Sequence, residues 1–177
     1  MASKIVVDGY NLTRSSHASK RLGSLEEERE YLISKLTRYQ AIRRIPITVV
    51  FDGWQGGYPI ETRDNINGIK VVYSKLGEKA DEVIKRMAEK WRDSLIVITS
   101  DRGIADFVEN RGAAVVSSRE FEKRMETVSY PAKTGDMIFK DEDYDESMDR
   151  PITTKKKGNP KRRSKIERRK MAKLRKL

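Results

Sequence analysis

The chain has 177 residues, a formal net charge of +11, one histidine and no cysteine. Without cysteine it has no disulfide, no thiolate metal site and no thiol nucleophile. No run approaches the roughly 18–20 apolar residues needed to span a membrane, and the N-terminus leads straight into a strand, so a soluble cytoplasmic protein without a signal peptide is expected.

The apolar run 4–7 reads as a buried central strand, and Asp8 ends it. Residues 9–23, with Asn11, Thr13, three serines and Gly23, read as a loop. Ser24 followed by Glu27 is a capping box. It starts a helix whose Leu25, Leu32, Leu36 and Tyr39 recur at helical spacing. Pro46 precedes a second strand, 47–51, which Asp52 ends, and residues 53–59 form a turn-rich loop. A third strand is expected near 69–73. Residues 79–91 give the clearest helix: Ala80, Val83, Ile84, Met87, Ala88 and Trp91 share one face. Asp81 lies at the margin of that face, whereas Glu78, Glu82 and Glu89 fall on the opposite side, toward water. A fourth strand, 95–100, leads to Asp101 and a short helix near 102–110. A fifth strand, 113–116, and a helix, 118–127, follow. This alternation predicts a mostly parallel sheet with helices on both faces.

Past Pro131 the pattern changes. Residues 136–149 hold seven acids and one lysine, and form an acidic extension, 131–150, to a body spanning 1–130. Residues 151–177 hold 13 Lys/Arg and one acid, Glu167, while the other 150 residues hold 25 Lys/Arg and 26 Asp/Glu. The excess charge therefore belongs to the end of the chain. A near-neutral body with a basic, polyanion-seeking tail is expected, the tail being disordered or helical on a partner. Lys155, Lys156, Lys157, Lys161, Arg162 and Arg163 are its densest stretch.

Several chemistries lack a motif. No stretch matches the phosphate-binding G-x-x-x-x-G-K-[ST] or the dinucleotide-binding G-x-G-x-x-G. Asp8 is followed by Gly9-Tyr10, which argues against a D-x-D phospho-aspartate enzyme. His17 stands alone in a polar loop, so Ser/His/Asp catalysis has no support. What remains is four aspartates, Asp8, Asp52, Asp81 and Asp101, each placed where a parallel α/β sheet presents its ligand site, at the carboxyl ends of the strands. Singly, such residues are turn formers and helix caps. Together they repel one another unless a cation or shared protons intervene. An all-oxygen set of this kind suits hard divalent ions and phosphodiester chemistry. Asn11 is a candidate partner for a phosphate, a water or a metal ligand near Asp8, set against a simple loop hydrogen bond. Arg14, Lys75, Lys79 and Arg102 would lie at the same edge and could hold phosphates, although each singly reads as a solvated charge. Trp54 and Tyr58 could stack on unpaired bases, with burial the competing reading for Trp54.

Four segments carry a family resemblance: Ile5-Val6-Val7-Asp8-Gly9-Tyr10-Asn11-Leu12, Val49-Val50-Phe51-Asp52-Gly53, the stretch from Val72 through Lys75-Leu76-Gly77-Glu78-Lys79-Ala80-Asp81 to Ile84, and Val97-Ile98-Thr99-Ser100-Asp101-Arg102. In this order the chain resembles the YacP-like NYN-domain proteins of the PIN-like ribonuclease superfamily over residues 4 to about 130. The resemblance implies a three-layer α/β/α PIN-like (Rossmann-like) sandwich and Mg²⁺- or Mn²⁺-dependent endonucleolytic cleavage of RNA. It implies a metal-binding core of Asp8, Asp81 and Asp101, with Asn11 matching the family's asparagine and Asp52 matching an acid often present there. The basic tail lies outside the matched segments. Two functions are kept: a metal-dependent endoribonuclease acting on single-stranded RNA, mRNA or RNA at the ribosome among them, and a non-catalytic RNA- or ribosome-binding protein on the same scaffold. In the first, Asp8, Asp81 and Asp101 are expected to converge within a few ångströms.

Overall fold

The computed structural model describes residues 3–15, 23–53, 58–129, 171, 172, 175 and 177. His17, Trp54, the acidic extension and the cluster from Lys155 to Arg163 lie outside them.

The described strands are β1 (Lys4–Asp8), β2 (Ile47–Phe51), β3 (Thr62–Ile66), β4 (Ile69–Tyr73), β5 (Leu95–Ile98) and β6 (Ala114–Val116). They form one sheet in the order β3-β4-β2-β1-β5-β6. Every pairing is parallel except β3 with β4. Among the described residues, the helices that flank this sheet are α1 (Gly9–Ser15), α2 (Leu25–Arg43), α3 (Ala80–Trp91), α4 (Arg102–Asn110) and α5 (Ser118–Ser129).

Central strands covered on both faces read as continuous apolar runs. In β1, Ile5 and Val7 turn to a core shared with Leu12, Leu36, Tyr39 and Phe121, so α1, α2 and α5 cover that face. Val6 turns the other way, to Val83, Ile84, Ile104 and Val108 of α3 and α4. The result is the three-layer α/β/α sandwich with a mostly parallel sheet that the alternation predicts. The helix wheel of α3 is also met: Ala80, Val83, Ile84, Met87 and Ala88 are buried. Ser24 caps α2 by accepting the Glu27 N–H at 3.2 Å, and Glu27 accepts the Gly23 N–H at 2.9 Å.

The structure departs from the sequence reading in three places. Residues 9–15 are helical rather than a loop, with Leu12 and Thr13 buried. The antiparallel edge strand β3 is additional. Asn67 and Gly68 both adopt positive φ, 51° and 87°, and close a hairpin between β3 and β4, as Asn-Gly pairs do in tight hairpins. Glu78, placed in water by the wheel, lies ahead of α3 and pairs with Arg86. At the far end of the chain, Leu177 is 2% exposed and joins the core cluster of α2 and α5. The Tyr39 hydroxyl donates to its carbonyl oxygen. The last residue of the basic extension therefore packs on the body.

Candidate active site

From β1 the chain moves to β2 on one side, and later places β5 on the other. A parallel sheet opens a crevice at the carboxyl ends of its strands where this reversal occurs. Asp8, the last residue of β1, stands there and is 8% exposed. The Asn11 N–H donates to Asp8 Oδ1 at 3.3 Å, and the Thr99 hydroxyl donates to Oδ2 at 3.1 Å. Thr99 Oγ1 in turn accepts the Asp101 N–H at 3.1 Å. One buried hydroxyl thus links the ends of β1 and β5.

Gly9 lets α1 start immediately after Asp8. A Cβ there would come within 2.3 Å of the Phe51 ring and 2.9 Å of the Val50 carbonyl oxygen. Only glycine fits that approach, and it places Asn11 one turn beyond Asp8. The Asn11 side-chain oxygen accepts from the Ser100 N–H at 2.9 Å and from the Ser118 hydroxyl at 2.7 Å. Those two donors fix the amide's orientation and occupy its oxygen. Its Nδ2 donates to no described residue, so what Asn11 can offer a ligand is a donor.

Of the other three aspartates at the same edge, Asp52 and Asp101 do structural work. Asp52, just past β2, accepts the Ala80 N–H and so caps α3 from outside the helix. Asp81 lies in the first turn of α3, half-buried. Asp101 is the N-cap of α4 and accepts the Ile104 N–H at 3.0 Å. Capping accounts for one oxygen of Asp52 and one of Asp101, and each keeps a second.

The acids act on one another. Burial pushes Asp8 up to about 6; the hydrogen bonds from Asn11 and Thr99 oppose that, and the charges of Asp81 and Asp52 add to it. Asp81 is also raised, first by burial and then by Asp101, with Lys85 and Lys79 opposing and Asp52 adding. As placed, no three acids or histidines among the described residues stand close enough together to hold one ion. The convergence expected of Asp8, Asp81 and Asp101 is therefore looser than a preformed cage. Mg²⁺ commonly takes one or two carboxylates and completes its shell with water and substrate phosphate. A buried, proton-hungry carboxylate beside two other acids, with only oxygen donors available, fits such an ion.

Arg14 on α1, Lys75 and Lys79 before α3, and Arg102 at the start of α4 are all exposed around this edge. Thr99, Ser100 and Ser118 belong to the site and were not singled out from the sequence. The Thr99 and Ser118 hydroxyls and the Ser100 N–H meet residues 91, 107 and 89 positions away, and no local pattern marks that.

The family model described as the YacP-like NYN domain matches residues 5–177, so the basic extension falls inside the matched span. The YacP protein of Bacillus subtilis (strain 168) is 31% identical over 131 residues, covering 70% of this chain and 75% of that protein. Two crystal structures of Rae1 (YacP) from Bacillus subtilis, one of them a point variant, superpose with TM-scores of 0.62 and 0.60. They are 29% and 28% identical to this chain, each match covering 72% of it and 77% and 75% of the solved chains.

Proposed function

Since the chain belongs to the YacP-like NYN family, a nuclease-type fold, we propose that it is a metal-dependent endoribonuclease acting on single-stranded RNA in the cytoplasm. The observation that carries this reading is Asp8, buried at the switch point in the field of Asp81 and Asp52. Such a carboxylate is costly for a fold that only binds, because nothing in binding requires mutually repelling acids.

Asp8 and Asp81, with the unshared oxygens of Asp52 and Asp101, would hold Mg²⁺ or Mn²⁺. The bound ion would neutralise charge on the scissile phosphate and lower the pKa of a water for in-line attack. Asn11, its oxygen tied to Ser100 and Ser118, presents Nδ2 to a phosphate oxygen or to that water. Thr99 holds Asp8 in place and relays to the turn that carries Asp101. Arg14, Lys75, Lys79 and Arg102 supply positive charge around the rim and hold the strand by its phosphates. The basic residues 155–163 extend that attraction to long RNA or the ribosome.

The test is cleavage of single-stranded RNA by purified protein with Mg²⁺ or Mn²⁺. It should stop on adding EDTA and be lost in Asp8→Asn. A second reading, a non-catalytic RNA- or ribosome-binding protein, draws on the lack of a preformed group of three metal-ligating side chains among the described residues. It requires RNA binding that is indifferent to metal and to Asp8→Asn, with no cleavage in either protein.

A further inference from the structure

Helix α2 connects two parallel strands, so it begins at the carboxyl edge of the sheet. Its first turns and α1 enclose a cleft of about 220 Å³ beside Asp52, lined among others by Tyr10, Arg14, Leu25, Glu28 and Arg29. Arg29 is held there with unusual definition. Its guanidinium lies 5.4 Å from the Tyr10 ring, 5.7 Å from Phe51 and 5.5 Å from Tyr73. Its Nε–H donates to the Tyr10 hydroxyl at 2.9 Å, and a second N–H reaches the same oxygen. The Tyr10 hydroxyl, accepting from Arg29, keeps its own proton to donate outward. Tyr10, Phe51 and Tyr73 also brace one another, edge-on at 5.3 Å and stacked at 5.7 Å.

Two ligand chemistries compete for this cleft. Neither Arg14 nor Arg29 forms an ion pair with a described carboxylate, which alone would suggest a phosphate. Yet Glu28 and Asp52 line the same cleft, so the two positive charges are balanced and the net pull on an anion is small. What remains is a planar cation set on aromatic rings, a phenol donor, carboxylate acceptors and the half-exposed Leu25 side chain. Unstacked bases of single-stranded RNA are held by such planes and by hydrogen bonds to their edges. The volume suits one ring system rather than a length of strand. We propose that the α1/α2 cleft takes one unpaired nucleobase of an RNA strand bound along the aspartate edge, with Arg29 and Tyr10 as its reading residues. This rests on RNA being the ligand of the edge, but not on its being cut.

The test measures binding in EDTA, where cleavage is silent. The full chain is titrated with a short single-stranded oligoribonucleotide and with its fully abasic counterpart of equal charge. Arg29→Met, which keeps the aliphatic stem and drops the guanidinium, should weaken binding of the base-bearing strand about tenfold. It should leave the abasic strand and the salt dependence unchanged. Leu25→Ala, at an exposed position off the core, should give a smaller loss of the same kind and serves if Arg29→Met does not fold. An equal loss for both strands, with the salt slope reduced by about 0.7, would make the cleft a phosphate clamp and overturn the proposal. Unchanged binding of both strands by the folded variants, or no binding of either strand by the unsubstituted protein, also overturns it. Absence of metal-dependent cleavage with base discrimination intact would remove the endonuclease reading and leave the subsite standing.

Discussion

Asp8 concentrates the site's electrostatics in one residue. Burial and the charges of Asp81 and Asp52 raise it to about 6, above its value near 3.9 in an unfolded chain. Below pH 4 both states hold the proton, and the group costs the fold nothing. Between about 4 and 6 the folded state keeps its proton while the unfolded state releases it, so stability falls as pH rises. Above 6 the full penalty is present, on the order of 2–3 kcal/mol at most for a shift of this size. Metal-free Asp8→Asn should therefore melt several degrees above the unsubstituted protein at pH 7.5, with the difference gone near pH 4. Mg²⁺ should raise the melting temperature of the unsubstituted protein more at pH 7.5 than at pH 5, and should not raise that of Asp8→Asn. Calorimetry at pH 4, 5 and 7.5 checks both. A variant melting lower at pH 7.5 would mean that the hydrogen bonds of Asp8 to Asn11 and Thr99 outweigh its burial. Gly9 is a steric counterpart: Gly9→Ala drives a methyl into the Phe51 ring and the Val50 carbonyl. Overpacking of that kind costs about 1–3 kcal/mol, read as a lower denaturant midpoint.

At the scale of elements, α3 sets two adjacent acids in different surroundings. Asp81 is half-buried toward the sheet edge, whereas Glu82 is exposed and pairs with Lys85 at 2.9 Å. An exposed pair of this type is worth less than about 1 kcal/mol. Asp81→Asn should thus cut metal-dependent cleavage far more than Glu82→Gln, measured as initial rates at saturating metal. Equal losses would mean that the phase of α3 does not separate the two, or that the site draws on a different acid. The phase of α3 was legible because its apolar residues recur without interruption. The central strands were legible for a related reason: cover on both faces makes them runs of Ile, Val and Leu. Strand β3 was not, because its sequence, Thr-Arg-Asp-Asn-Ile, is an exposed edge with almost nothing buried. Its one local signal was the Asn67-Gly68 turn. Helix α1 was hidden by its composition: asparagine, threonine and serine read as loop formers, and what fixes the helix is tertiary, Leu12 in the core and Asn11 tied to Ser100 and Ser118. Asp8, Asp52 and Asp101 could be found from their positions at strand ends, and Asp81 from its place on the wheel of α3. The hydroxyls that orient Asp8 and Asn11 could not, since Thr99 meets Asp8 across 91 positions and Ser118 meets Asn11 across 107.

At the scale of the molecule, the basic extension has two separable contributions. Its 13 cations should draw RNA by counterion release, so binding weakens steeply with salt. Its last residue fills a place in the core beside Tyr39 and Phe121. A chain ending at Arg150 removes both. Losing a buried leucine costs about 2–5 kcal/mol, so that chain should melt lower as well as bind long RNA less tightly, and its loss of affinity cannot be assigned to charge. Replacing Lys155, Lys156, Lys157, Lys161, Arg162 and Arg163 with glutamine leaves Leu177 in place. This full-length variant should melt like the unsubstituted protein and keep metal-dependent cleavage of a short RNA at high enzyme concentration. Its affinity for long RNA or ribosomes should fall, and its salt slope should flatten by up to about 4, the value for six phosphate contacts on a single strand. Titrations at two salt concentrations read the slope directly. Long-RNA affinity and slope equal to those of the unsubstituted protein would mean that these six cations only solubilise the chain. Attraction would then fall to Arg14, Lys75, Lys79 and Arg102 at the sheet edge, and to the basic residues beyond 163.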